Sequence, residues 1–388
     1  MKALVFERKL ARYAAAAVAG RVVPGRGAAV GPLRLADVDP PEPPTPEWVR
    51  VRPRLSGICG SDLATLDGRS SRYFEPIVSF PFTPGHEIVG DLDDGTRVAV
   101  VPILTCAVRG IEPPCAQCAA GLPNRCERTA FGHLEPGLQC GFCESTGGGW
   151  SIAMVAHPDQ LVPVPDDLTD EQAVLIEPAA CAVHAARQVR VPADVQSTVA
   201  VIGAGTLGLL TIAALSHLHG DRVRVLATAK HPTQRSLAKA LGADVVAEPG
   251  ALARHVRSLT GSWVVDDRLT GGIGEIIDCV GSEQSLRQAL AVAGPGGIVH
   301  VVGMPATTTL DLTGLWHREL TLRGCYAYTH DDFTAAIELV RAKDPARLVS
   351  KTYPLDRYRE AIEHAAQAGL RGSVKIAFDL RNEKERRH

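Results

Sequence analysis

No block of like charge runs through this 388-residue sequence outside the short tail "RNEKERRH", and Lys+Arg 41 against Asp+Glu 43 leave a formal charge of -2. A chain so balanced advertises no polyanion-binding surface, which excludes nucleic acid as an expected partner. A long uninterrupted apolar run is lacking as well. The longest uncharged stretch, Ser197 to Leu215, is "STVAVIGAGTLGLLTIAAL", and its three glycines suit a strand, a turn and a helix rather than a membrane span. A clean secretory leader is also missing, because charges interrupt the apolar patch of "MKALVFERKLARYAAAAVAG" and "KALVFE" reads as a first strand. The cytoplasm is therefore the expected compartment, and the 45% apolar content is enough for two or three domains with substantial cores.

Ten cysteines in a chain of this length read as metal ligands and scattered core thiols rather than as a disulfide scaffold. Cys115, Cys118 and Cys126 stand in "CAQCAAGLPNRC", a C-x2-C-x7-C cluster, with Cys106 nine residues upstream. Four thiolates can close a tetrahedral structural zinc site that staples a loop too polar to hold itself by burial. Cys140 and Cys143 in "CGFC" read as bystanders.

From about Thr198 the texture becomes alternating strands and amphipathic helices, which predicts a doubly wound parallel sheet, a Rossmann domain. Gly203, Gly205 and Gly208 form a G-x-G-x-x-G turn directly after "VAVI". With Thr206 and Leu207 inside it, this turn is the expected dinucleotide site, where backbone amides at a helix N-terminus can approach a pyrophosphate. The second strand runs into "VLATAKHPTQR", where Thr228 and Ala229 occupy the place of an NAD-type acid and Lys230, His231 and Arg235 supply positive charge. That loop reads as a pocket for a 2'-phosphate, so NADP is the preferred cofactor and NAD the lesser possibility.

Two glycine-bracketed turns carry the remaining chemistry: "GICGSD", with Cys59, Ser61 and Asp62, and "PGHEIVG", with His86 and Glu87. Together with the cysteine cluster, "LIEPAACAVHA", "VIGAGTLG" and "DCVGSEQSLRQAL", in this order, the sequence resembles the zinc-containing medium-chain dehydrogenases of the alcohol, polyol and threonine dehydrogenase type over nearly its whole length.

That resemblance implies an α/β architecture in which a GroES-like β-rich catalytic domain, residues 1–177 and 326–388, is split around a Rossmann NAD(P)-binding domain, residues 178–325. Substrate and nicotinamide would meet in the cleft. Arg8 to Val38 is longer than the usual link between the first strands, and a short helix at the cleft mouth or a subunit contact are the two roles open to it.

The family holds its catalytic zinc by a cysteine, a histidine and a further carboxylate or cysteine, leaving one open position. Cys59 and His86 match the first two. Either Glu87 or Glu177 could be the third, and Asp62 is expected to orient His86. Ser61 matches the hydroxyl that takes the alcohol's proton. The histidine that many relatives carry five residues after the cysteine is Ala64 here, and His184 is a conceivable but more ordinarily structural substitute.

These expectations amount to an enzyme transferring hydride between NADP(H) and a secondary alcohol, polyol, sugar or cyclitol, as a homodimer or homotetramer. A zinc-independent enone or quinone reductase, or a catalytically idle cofactor-binding protein, would lack ligands that this chain retains. Tyr73, Phe74, Phe82 and Trp150 are candidates for the substrate walls.

Overall fold

The strand "VRVRPRLSG", Val49–Gly57, alternates exposed and buried residues at its start and is buried at its last three, where it enters the Cys59 turn. In the computed structural model this strand is central. Residues 1–382 are described; the last six residues of the charged tail lie outside them. The chain falls into two units, one of Met1–Glu177 with Thr329–Phe333 and the residues from Asp344 on, the other of Pro178–Tyr328 with Thr334–Lys343.

In the first unit Val49–Gly57 lies antiparallel between Lys375–Asp379 and Ile88–Asp91, and the sheet continues through Arg97–Val100 to Leu161–Pro163. Val349–Tyr353 closes the other edge, parallel to Lys375–Asp379. The C-terminal strand is thus inserted next to the strand that delivers Cys59. Its core gathers Leu4, Phe6, Phe82, Trp150, Ile376 and Phe378. Trp150, considered from sequence as a substrate wall, is instead a core residue: it is fully buried, stands edge-on to Phe378 at 5.1 Å and donates its indole N–H to Gly57 O at 3.2 Å.

The Arg8 to Val38 stretch folds into a helix, Leu10–Val22, and a short helix, Gly27–Val30, before Leu33–Asp37 returns to pair with Lys2–Phe6. It is fastened by one carboxylate. Asp67, fully buried at the end of the Gly60–Leu66 helix, accepts the N–H groups of Gly25 at 2.9 Å and Gly27 at 3.1 Å. The inserted helices are therefore tied to the element that begins at Cys59.

In the second unit six parallel strands follow the order Val245–Ala247, Val223–Thr228, Ser197–Ile202, Ile273–Asp278, Ala293–Val301, Thr321–Gly324. Numbered along the chain this is 3-2-1-4-5-6, the doubly wound order whose switch point lies beside the first strand. The uncharged stretch from Ser197 resolves into that first strand and the helix Thr206–His219. No helix among the described residues is long and apolar enough to cross a membrane.

Asp67→Ala strands two buried backbone donors, each worth about 1–3 kcal/mol when left unsatisfied. Urea denaturation should show a loss of about 2–4 kcal/mol, against at most about 0.5 kcal/mol for Arg12→Ala, whose side chain is exposed on the Leu10–Val22 helix.

Candidate active site and cofactor turn

Cys59 sits in extended backbone at the N-cap of the Gly60–Leu66 helix, and its N–H donates to Asp62 Oδ2 at 2.9 Å. The other carboxylate oxygen faces His86 Nδ1 at 3.5 Å, with both side chains almost fully buried. Asp62 thereby orients two groups from separate turns. The backbones are also joined, because Gly57 N–H donates to Glu87 O at 2.9 Å. Gly85 precedes His86 at φ +96°, where a Cβ would run into the Trp150 ring, so only glycine makes this turn against that wall. Phe142 covers the imidazole, ring centroids 5.9 Å apart.

Burial alone would lower the His86 pKa, but the Asp62 carboxylate and the Cys59 thiol beside it hold it well above the ordinary histidine value. A half-buried thiol and a buried imidazole side by side, with Nδ1 of His86 and Oδ1 of Asp62 short of hydrogen bonds, form a donor pair suited to a borderline-soft divalent ion.

The two candidate acids separate. Glu87, 2% exposed, turns its carboxylate to the buried ammonium of Lys375, which also donates to Ile58 O at 3.1 Å. Glu177 is buried in the first turn of the Ile176–Arg187 helix, and its charge is felt by the fully buried thiol of Cys140, as is that of His86. Cys140 is pushed up to about 12, first by burial. Neither acid joins Cys59 and His86 in a set of ligand atoms all within 4.8 Å of one another, a spacing that only the four-thiol cluster meets among the described residues.

Lys375 was not singled out from sequence, although a lysine inside the apolar run "SVKIAFD" is its signal. Ser61 is half-buried one turn from Ala64. The next hydroxyl, Thr65, bonds Ser61 O at 3.0 Å and Ser70 Oγ at 2.8 Å, so no imidazole stands at that turn. His184 accepts from the Gln188 amide at 2.8 Å. Tyr73 is 79% exposed, while Phe82 lines a small void with Phe6, Asp62, Thr65 and Phe142.

Cys106, Cys115, Cys118 and Cys126 converge. Cys115 N–H donates to Cys106 Sγ at 3.3 Å and Arg128 N–H to Cys126 Sγ at 3.4 Å, while Cys106 and Cys126 sulfurs lie 3.7 Å apart. All ten cysteines are free. Burial raises the Cys115 thiol, but N–H groups of Glu127 and Cys118 outweigh it and bring the pKa down to about 6, whereas burial and neighbouring sulfur raise Cys118 and Cys126. The donor set fits tetrahedral zinc.

In the second unit Gly203 stands at φ +91°, and a Cβ on Gly208 would overlap Gly203 O, whereas nothing lies within 4 Å of where one on Gly205 would stand. Gly205 is also the N-cap of Thr206–His219, and Thr206 and Leu207 open that helix half-buried. Thr228 is buried and accepts Gly203 N–H at 3.0 Å, and Ala229 is buried beside it. Lys230 is exposed and His231 half-buried. Arg235 bonds Lys230 O at 3.0 Å and Glu248 at 3.3 Å. No carboxylate replaces the missing acid on that strand end, and the open face of Gly205 leaves room for a phosphate at the helix N-terminus.

The family model described as "Alcohol dehydrogenase GroES-like domain" matches residues 45–166, and that described as "Zinc-binding dehydrogenase" matches residues 206–342. Sorbitol dehydrogenase of Bacillus subtilis (strain 168) is 28% identical over 337 residues, 82% of this chain and 86% of that protein. L-idonate 5-dehydrogenase of Vitis vinifera is 27% identical over 353 residues, 86% of this chain and 88% of that one. A crystal structure from Sinorhizobium meliloti 1021, described as a zinc-binding dehydrogenase bound to NADP, is 26% identical with a TM-score of 0.71, covering 89% of this chain and 96% of that one.

Removing one partner of the buried Lys375–Glu87 pair leaves a lone charge. Lys375→Met should lower stability by about 3–5 kcal/mol in urea denaturation. The double variant with Glu87→Gln should lose less than the two single changes added together.

Proposed function

This chain belongs to the zinc-containing medium-chain dehydrogenase family, and from that premise we propose that it transfers a hydride between NADP(H) and a secondary alcohol, polyol, sugar or cyclitol, or the matching ketone. It is an enzyme of the alcohol and polyol dehydrogenase class. The observation that carries the finer reading is the shared Asp62 carboxylate, which brings Cys59 and His86 together from separate turns.

Cys59, His86 and Glu177 would hold the catalytic zinc. Glu87 is better placed as a support, because Lys375 already engages its carboxylate. When bound, zinc supplies Lewis acidity that lowers the pKa of an alcohol, and the nicotinamide takes up the hydride. Asp62 fixes the imidazole, and Phe142 shields it from water. Ser61 takes the alcohol's proton, which then leaves through ribose hydroxyls or water, Ala64 offering no relay. Amides at Gly205 and Thr206 would receive the pyrophosphate. Lys230, His231 and Arg235 would hold the 2'-phosphate, for which Arg235 would give up its bond to Glu248. The substrate reading follows the sorbitol and idonate relatives. The exposed edge strand Thr321–Gly324 supports a homodimer or homotetramer.

Metal analysis of active enzyme should find about two zinc ions per chain. Cys59→Ser should remove one ion and abolish turnover, and Cys118→Ser should remove the other and lower the melting temperature. Glu177→Ala should speed zinc loss to a chelator far more than Glu87→Ala. Active enzyme without zinc would overturn the reading.

Two charge-assisted contacts to the 2'-phosphate, at about 1.5–3 kcal/mol each, correspond to a preference for NADP+ of about a hundredfold or more in kcat/KM. Ala229→Asp with Lys230→Ala should move that preference toward NAD+. A higher kcat/KM with NAD+ in the unmodified enzyme would refute the NADP assignment.

A further inference from the structure

The lobe that holds the four thiols also buries a cation. Arg109, three residues after Cys106, is fully buried. Its guanidinium donates from Nε to Leu104 O at 3.2 Å, from Nη1 to Phe131 O at 3.0 Å and to Leu134 O and Glu135 O at 3.3 Å, and from Nη2 to Gly137 O at 2.5 Å. Five carbonyls take bonds from its three nitrogens, three of them sharing the two Nη1 hydrogens, but none of them supplies a charge. No carboxylate among the described residues forms an ion pair with it, unlike Arg54 and Arg381, which both pair with Asp170. An arginine does not shed its proton to escape burial, so a counter-charge must come from elsewhere.

Three thiols and the imidazole of His133 are the ionisable groups around it, and only the thiols can carry a negative charge. Burial works against the charged form of Arg109, and Cys143, Cys126 and Cys106 favour it. Two of those three belong to the four-thiol cluster. A divalent ion held by four thiolates keeps an excess of two negative charges, and such a centre is costly to bury for the same reason that a lone guanidinium is. Each is what the other lacks. The placement follows from the chain itself: Arg109 N–H bonds back to Thr105 O and Cys106 O, so the guanidinium is carried by the turn that starts at a sulfur ligand.

We propose that Arg109 is the buried counter-ion of the four-thiolate metal centre, and that its guanidinium fastens residues 131–137 to that centre. The inference rests on reading the four thiols as a zinc site and adds the residue that makes the site's charge tolerable. Residues 131–137 lead directly to Cys140 and Phe142, the neighbours of His86, so the lobe is anchored on the same loop that covers the catalytic imidazole.

The test uses full-length protein in a Cys59→Ser background, so that only the four-thiol zinc is read. Zinc content is measured by atomic emission, and the half-life of zinc transfer to 4-(2-pyridylazo)resorcinol is followed for Arg109, Arg109→Met and Arg109→Lys. Loss of the charge should shorten the half-life more than about fivefold in Arg109→Met, while Arg109→Lys, which keeps the charge but not the five-carbonyl fork, should stay within about fivefold of the parent. Equal retention in Arg109→Met, or loss from Arg109→Lys as fast as from Arg109→Met, would overturn the proposal. If Arg109→Met does not accumulate as folded protein, the lysine variant decides alone: retention within fivefold supports the counter-ion role and faster loss overturns it. A parent protein that holds no zinc removable by Cys118→Ser would instead sink the zinc reading of the cluster, before any Arg109 variant is measured.

Discussion

Lys375 and Glu87 are buried together against the backbone of Ile58, and either one alone would be a bare charge in an apolar core. Their attraction outweighs desolvation only while the partners stay in register. That requirement reaches far along the chain. Lys375 begins the last strand, Glu87 follows the imidazole of His86, and Ile58 precedes the thiol of Cys59. Ile58 N–H also donates to Ile376 O at 3.0 Å. The strand that arrives last therefore locks the two turns that carry the candidate ligands, so the returning segment belongs to the site as well as to the sheet.

Around that pair the chemistry is arranged by carboxylates with divided duties. Asp62 uses one oxygen on the Cys59 amide and the other on the His86 ring. Asp67, five residues on, uses its two oxygens on Gly25 and Gly27 and so binds the inserted helices to the same short helix. One seven-residue helix, Gly60–Leu66, thus connects the thiol at its start with the insertion at its end. The four-thiol lobe is organised differently, by backbone N–H groups aimed at sulfur and by an arginine aimed at carbonyls.

What the sequence disclosed was chemistry that repeats at short spacing. The glycine turn before Thr206, the C-x2-C cluster and the alternation of strands and helices depend on neighbours a few residues apart, and the parallel sheet and the converging thiols follow from them. Trp150 was misplaced because an aromatic next to three glycines looks like a loop residue, while its burial depends on Phe378, more than two hundred residues away. Lys375, Asp67 and Arg109 were overlooked for a related reason: a lone charged residue carries no periodicity, and its meaning lies in partners brought by the fold. Nor could spacing show that Glu87 is engaged by a lysine contributed by the far end of the chain.

Thr228 offers a different kind of consequence. Its hydroxyl accepts the N–H of Gly203, so the side chain at the end of the second strand is part of the scaffold of the glycine turn itself. A carboxylate introduced at that position would have to serve both the turn amide and a ribose hydroxyl from a buried site. Ala229, one residue on, carries no such bond from its methyl side chain. A carboxylate at position 229 would leave the bond between Thr228 and Gly203 in place, whereas one at position 228 would have to replace it.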